Sequence, residues 1–365
     1  MKRTIGVLIL IMILVEVVGY IIQRSTMVAP ISSIMPDEVL NHTLRPNLNL
    51  IDYARDIPYT VYTNSQSWAE HSDVSQQKPP GVYRIFYVGD SNTHGVVEEH
   101  ERLAEIVERE LNAKGMRVEV VNTGTPSYSP ILHYLLIKNK ILALAPDLVI
   151  INVDMTDVRD DMLYRSLAEF DERGFPKDVH PSDEKQQQLY YLTPQGLVKI
   201  PLSQRMNAYA VKHSIIIRSL ERVMLKIIGR KTPDPTAIPA PGDWLKLTWD
   251  EKTQDGAAYS MGILSETVHM LNLHGVRVML TGVPHYPQYT GQWSAQPHTV
   301  LAETARALNV PYLNSYEALK EQISGTPVTL YYWRTDPTHF NKAGNAIWAQ
   351  AQLEFLLTSK LLPSR

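Results

Sequence analysis

The chain has no cysteine. That excludes disulfides, thiol nucleophiles, Cys-ligated zinc and iron–sulfur clusters. Net charge is also scarce: 35 Lys and Arg against 38 Asp and Glu leave −3 over 365 residues. No general electrostatic attraction to nucleic acid is therefore expected. No long internal repeat is visible, which argues against a solenoid or propeller. There is no Gly-x-x-x-x-Gly-Lys loop for a nucleotide phosphate and no His-Glu-x-x-His for a metal. Neither cofactor nor metal is expected. Phenylalanine is rare, 5 against 19 Tyr. Tyr331, Tyr332 and Trp333, with Tyr286, Tyr289 and Trp293, form two clusters whose polar-edged rings suit either sugar stacking or ordinary rim packing.

Long apolar runs are missing with one exception, Ile5 to Ile22, interrupted by Glu16, two glycines and Tyr20. As a helix it spans about 27 Å, near the lower limit for a bilayer core. It ends in Gly19-Tyr20-Ile21-Ile22-Gln23-Arg24, without the small residues of a cleavage site. The reading is an uncleaved single-pass anchor, with a cleaved signal peptide as the alternative. Lys2 and Arg3 place its start in the cytoplasm, so the rest of the chain is expected outside the inner (cytoplasmic) membrane.

Residues 23–80 are polar, proline-rich and weakly periodic, and read as an extended leader, either free or packed on the domain. At Tyr83 the pattern becomes regular. Strands are expected at Tyr83–Val88, Arg117–Val121, Leu148–Val153, Val276–Thr281 and Val310–Leu313. Helices are expected at Glu98–Gly115, Ile131–Leu144, Ala257–Leu273, Val300–Leu308 and Lys342–Leu357. Near-continuous apolar strands alternating with amphipathic helices predict an α/β domain with a mainly parallel sheet covered on both faces. The pattern lapses over 161–256, which reads as an insertion or cap. Its one convincing helix, Asn207–Ile228, suits packing against the domain better than a lipid surface.

In such sheets, chemistry gathers beyond the carboxyl ends of the strands. The first strand is followed by Gly89-Asp90-Ser91-Asn92, which sets Ser91 at a strand-to-helix junction. There it suits a nucleophile whose own N–H helps hold an oxyanion, or a helix N-cap. The second strand is followed by Asn122-Thr123-Gly124, where a bare backbone N–H can approach a reacting carbonyl, or simply turn. Near the carboxyl end, Asp336 and His339 are spaced so that the carboxylate can orient the imidazole, or so that they form a turn and cap pair before the last helix. The other histidines, His94, His285 and His298 among them, are expected at the surface or in substrate loops. Asp154, Asp157, Asp160 and Asp161 crowd one loop but lack regular Ca²⁺-loop spacing. A solvated acidic loop is expected.

These pieces resemble the SGNH/GDSL hydrolase superfamily. The matching stretches are Tyr83-Arg-Ile-Phe-Tyr-Val-Gly-Asp-Ser91, Val120-Val-Asn-Thr-Gly124, Pro146-Asp-Leu-Val-Ile-Ile151 and Asp336-Pro-Thr-His-Phe-Asn-Lys-Ala-Gly344. The resemblance implies a flavodoxin-like three-layer α/β/α sandwich. It also implies a serine esterase with Ser91 as nucleophile, His339 as base and Asp336 as its orienter. The implied oxyanion hole comprises Ser91, Gly124 and the third block. There Asp154-Met155-Thr156-Asp157 stands where the family has Gly-x-Asn-Asp, so Thr156 offers a hydroxyl in place of an amide. The expected organisation is an anchor over 1–22, a leader over 23–80, and a hydrolase domain in two parts, 81–160 and 257–365, around the insertion. The expected substrate is an acyl ester, such as an O-acetyl group on a cell-envelope glycan. O-acyl transfer to an envelope polysaccharide and a silent glycan-binding or scaffold module are the alternatives.

Overall fold

The computed structural model describes residues 33–52, 59–181, 190–193, 196–199, 243–334 and 336–363, together with Gly6. The expected anchor, apart from Gly6, and the expected helix Asn207–Ile228 lie outside these residues. Among the described residues, no helix is long and apolar enough to cross a membrane.

The centre is a sheet of five parallel strands: β1 (Tyr83–Val88), β2 (Val118–Asn122), β3 (Leu148–Asp154), β4 (Arg277–Val283) and β5 (Tyr312–Leu313). Their spatial order is β2-β1-β3-β4-β5, and every neighbouring pair is parallel. This is the flavodoxin-like order, whose ligand crevice opens where the winding reverses, between β1 and β3.

The strands alternate faces with a period of two. Ile85, Tyr87, Leu148, Ile150 and Met279 pack into one core with α2 (Leu103–Ala113) and α7 (Lys342–Thr358). Phe86, Val88, Val149, Ile151 and Leu280 pack into the other. That second core is completed by α3 (Pro130–Leu136), α4 (Asp157–Arg165), α5 (Glu251–Leu273) and α6 (Gln296–Ala307). All seven residues of β3 are buried, as a central strand covered on both faces must be. The result is a three-layer α/β/α sandwich, as the alternation in the sequence predicted.

Element edges differ where capping decides them. α5 begins six residues before the expected Ala257, because Asp250 accepts a hydrogen bond from Thr253 N and frees the first turn from needing apolar residues. α7 begins at Lys342 as expected, with Asn341 accepting from Ala343 N and Gly344 N. The expected helix from Glu98 is split: a 3₁₀ turn at Glu99–Glu101 precedes α2. The expected helix Ile131–Leu144 is α-helical only to Leu136, then passes through π and 3₁₀ turns.

Two boundaries require correction. The described part of the leader is not merely extended. It contains the hairpins Ile34–Asp37/Asn41–Leu44 and Asn49–Asp52/Tyr59–Tyr62. Leu40, Leu44 and Trp68 are fully or almost fully buried, and Leu40 and Trp68 join the core around α3. Residues 34–181 and 238–365 form one compact unit, so the interruption is narrower than 161–256. The other unit, 1–33 with 182–237, is represented by the hairpin Tyr190–Thr193/Gly196–Lys199.

Candidate active site

β1 ends at Val88, and the chain turns at Gly89 into the short helix α1 (Ser91–His94). Gly89 is required by space: a Cβ there would overlap the Thr93 side chain. Asp90 caps the turn, its carboxylate accepting from Asn92 N at 2.8 Å. The cap position that Ser91 was a candidate for is thus filled by its neighbour, and the Ser91 hydroxyl lies 3.2 Å from Asp90 Oδ2 while also facing a base.

That base belongs to a triad. Ser91 Oγ lies 2.7 Å from His339 Nε2, and His339 Nδ1 lies 2.8 Å from Asp336 Oδ2. Asp336 is held in turn, its Oδ1 accepting from Thr338 N at 3.2 Å and Thr338 Oγ1 at 2.6 Å. His339 and Asp336 retain side-chain exposures of 16% and 17%, so the base is sheltered yet reachable. Since Asp336 takes the proton on Nδ1, Nε2 is left as the acceptor facing the serine hydroxyl. This is the tautomer a general base needs.

The expected oxyanion donors Gly124 and Thr156 have partners within the protein. Gly124 packs tightly against α1, where a Cβ would overlap the backbone of Thr93 and His94. Its N–H, however, donates to Asn122 Oδ1 at 3.0 Å. The Thr156 hydroxyl donates to Asp154 Oδ1 at 2.9 Å, and the Thr156 N–H reaches the same atom at 2.9 Å. Both groups border the site, but their donors are engaged within the protein.

The acidic residues after β3 are not a solvated loop. Asp154, Asp157, Asp160 and Asp161 are all buried, because β3 runs directly into α4 beneath the site. Asp161 Oδ1 accepts from Ser129 Oγ at 2.5 Å and Ile131 N at 3.0 Å, anchoring the start of α3. Burial raises the Asp161 carboxyl to about 6 and that of Asp160 to about 7. Burial together with the Asp154 charge raises Asp157 and Asp90 well above the usual carboxylate range.

Asp154 goes the other way. Burial alone would raise its pKa, but the charge and hydrogen bond of His285, the Thr156 N–H and the charge of His339 outweigh it and hold it at about 2. Asp154 is therefore the resident anion of the cluster, and its charge disfavours ionisation of its carboxyl neighbours.

His94, His285 and His298 are buried rather than in surface or substrate loops. No local pattern marks the His285–Asp154 pair, whose members lie 131 positions apart. Of the two aromatic clusters, Tyr332, Trp333 and Trp293 are buried. Tyr332 Oη is tied to the Pro284 carbonyl and its ring stacks on Phe340. Trp333 packs with Tyr59 and Val61, and Trp293 lies beside His285. A small surface group, Glu169, Asp178 and His180, lies on and just after the hairpin Ala168–Phe170/Pro176–Val179.

No protein-family model matches this chain, and no curated protein matches it by sequence. Solved structures similar to it include an acetylxylan esterase from Geobacillus stearothermophilus. That protein is 13% identical with a TM-score of 0.43, over 78% of this chain and 97% of that one. A lipase/acylhydrolase from Enterococcus faecalis is 14% identical with a TM-score of 0.41, over 75% and 95%. An α/β hydrolase enzyme from the metagenome of Lake Arreo, Spain, is 12% identical with a TM-score of 0.43, over 75% and 94%. Similarity at this level is coarse, and the functional reading rests on the triad.

Proposed function

We propose that this protein is a serine esterase of the SGNH type. The observation that carries the reading is the Ser91–His339–Asp336 line, with contacts of 2.7 and 2.8 Å at the β1/β3 crevice of a flavodoxin-like sheet. Ser91 Oγ attacks the ester carbonyl while His339 Nε2 takes its proton. Asp336 stabilises the resulting imidazolium. His339 then returns the proton to the leaving alcohol, and water, activated by the same imidazole, releases the acid.

The substrate is proposed to be an O-acyl ester with a small acyl group, such as O-acetyl on a cell-envelope glycan. The run Ile5–Ile22 after Lys2 and Arg3 supports placing the domain outside the inner membrane on a single-pass anchor.

The test is acetate release from a short-chain aryl ester and from acetylated glycans, comparing wild type with Ser91→Ala. Turnover that vanishes in Ser91→Ala supports the reading. Equal rates in both proteins remove Ser91 as nucleophile. Absence of hydrolysis in both, with wild-type Ser91 still labelled by a fluorophosphonate, points to acyl transfer onto a sugar hydroxyl.

A further inference from the structure

Asn92 follows the nucleophile and is buried. Its side chain reaches the strand that carries the base. Asn92 Nδ2 donates to the Thr338 carbonyl at 3.1 Å, and Asn92 Oδ1 accepts from Phe340 N at 3.3 Å. These two backbone groups flank His339 on either side, so one amide clamps the His339 backbone to the Ser91 turn. The clamp works only with the amide in one orientation, since the flipped amide would set oxygen against carbonyl and NH₂ against N–H.

Asp154 selects that orientation. Its Oδ2 accepts from Asn92 Nδ2 at 3.0 Å, which demands that NH₂, not oxygen, face β3. The same Oδ2 lies 3.1 Å from His285 Nε2, and its Oδ1 is filled by the two Thr156 donors. The carboxylate is thus saturated with four donors and cannot turn away. His285 is fully buried, and its backbone N–H donates to Gln288 Oε1 at 2.8 Å. With a carboxylate as partner, Nε2 is the donor. Imidazole, carboxylate and amide therefore form one line beneath the triad, running from the loop after β4 through the end of β3 to the strand Asp336–Phe340.

We propose that His285 is a positioning residue for His339, acting through Asp154 and Asn92. It touches neither substrate nor reacting atoms. Its donor fixes the Asp154 carboxylate, which fixes the Asn92 amide, which holds His339 Nε2 within reach of Ser91 Oγ. Such a line transmits small displacements, because buried hydrogen-bonded groups have few alternative partners, and a misplacement of about 1 Å at a reacting group costs on the order of 100-fold in rate. The proposal shares its kinetic readout with the esterase reading, but its structural readout does not depend on turnover.

The experiment compares full-length wild type, His285→Gln and His285→Leu by two measurements. The first is the low-field proton resonance of His339 Nδ1–H in its hydrogen bond to Asp336, assigned by its disappearance in His339→Gln. The second is kcat and KM on a short-chain aryl ester. His285→Gln retains an amide donor for Asp154, whereas His285→Leu fills the space without one. The expected result is a shifted or broadened resonance in His285→Leu, with kcat lowered about 10- to 100-fold and KM within about twofold. In His285→Gln the resonance stays in place and kcat stays within about threefold of wild type. A resonance unmoved in His285→Leu overturns the proposal whatever the rates. Equal damage in the Gln and Leu variants also overturns it, since that is the signature of lost packing. A wild type that shows the resonance but hydrolyses no ester counts against the esterase reading alone, and the resonance then decides the positioning role.

Discussion

Ser91 Oγ and His339 Nε2 meet at 2.7 Å although 248 positions separate them in the chain. The sheet order brings them together. Ser91 leaves the end of β1, and His339 sits on Asp336–Phe340, a short strand paired with Tyr332–Trp333 and placed before α7. Asn92 joins the two segments through the backbone on both sides of His339. The geometry of the base is therefore a property of the fold and not of a single loop.

Asp336→Asn tests the orienting role of the carboxylate. Thr338 N and Oγ1 both donate to Oδ1, so in the variant the amide oxygen stays there. The NH₂ group then falls opposite His339 Nδ1. An NH₂ donor requires Nδ1 to accept, which moves the ring proton to Nε2, facing Ser91. The base is then blocked with its position unchanged. The expected outcome is a fall in kcat of about 10³–10⁴-fold with a melting temperature within a few degrees of wild type. A loss below tenfold would show that Asp336 does not set the tautomer.

Thr156→Ala separates two roles for the third sequence block. If the Thr156 hydroxyl held the oxyanion, its loss would cost on the order of 100-fold. In the structure it donates to Asp154 Oδ1, which the Thr156 backbone N–H also reaches. The expected change in kcat is therefore at most about threefold to fivefold, because the Thr156 N–H still fills Oδ1 and the Oδ2 contacts to His285 and Asn92 that position the base are untouched. Steady-state kinetics on one aryl ester decide it. A 100-fold loss would mean that the hydroxyl re-aims towards substrate.

Gly124→Ala addresses the floor of the site. The added methyl would overlap the backbone of Thr93 and His94, and backbone cannot move aside as a side-chain end can. The turn carrying Ser91 must shift. The expected destabilisation is about 2–3 kcal/mol, read from urea unfolding. Fluorophosphonate labelling of Ser91 is expected to slow well beyond the fraction of protein that is unfolded. A variant with normal labelling would show that the α1 turn tolerates displacement.

Much of this was legible before the fold was known. The alternation of Ile85 and Phe86, or of Ile150 and Ile151, announces a sheet buried on both faces, and glycine-rich strand ends mark where chemistry can sit. Ser91, Asp336 and His339 were accessible because each lies in a short local pattern. Asp154 was visible as a departure from the Gly-x-Asn-Asp pattern, but its partner was not. A carboxylate followed by acidic neighbours reads as a solvated loop, and only the three-dimensional fold places His285 and Asn92 against it. The strands of residues 34–62 were missed for a different reason: four-residue hairpins among prolines carry too few alternating positions to register.

The stability of the protein is expected to carry an internal pH dependence from Glu105. This residue lies on α2 beside the buried Arg102, and among the described residues neither carboxylate oxygen has a hydrogen-bond partner. Burial raises its pKa from 4.5 to about 7, with the Arg102 charge opposing the rise only in part. Below pH 4.5 the group is protonated in both folded and unfolded states and imposes no charge-burial cost. As pH rises towards 7, the unfolded chain releases the proton first, so the folded state binds more protons and stability falls. Above 7 the folded carboxyl is ionised as well, and the penalty levels off. Glu105→Gln removes the titrating group while keeping its shape. The variant is expected to match wild type near pH 4.5 and to exceed it at pH 8 by on the order of 3 kcal/mol. Urea unfolding at the two pH values provides the comparison. A difference that is constant across pH, or largest on the acid side, would show that Glu105 is not the group whose ionisation opposes the fold.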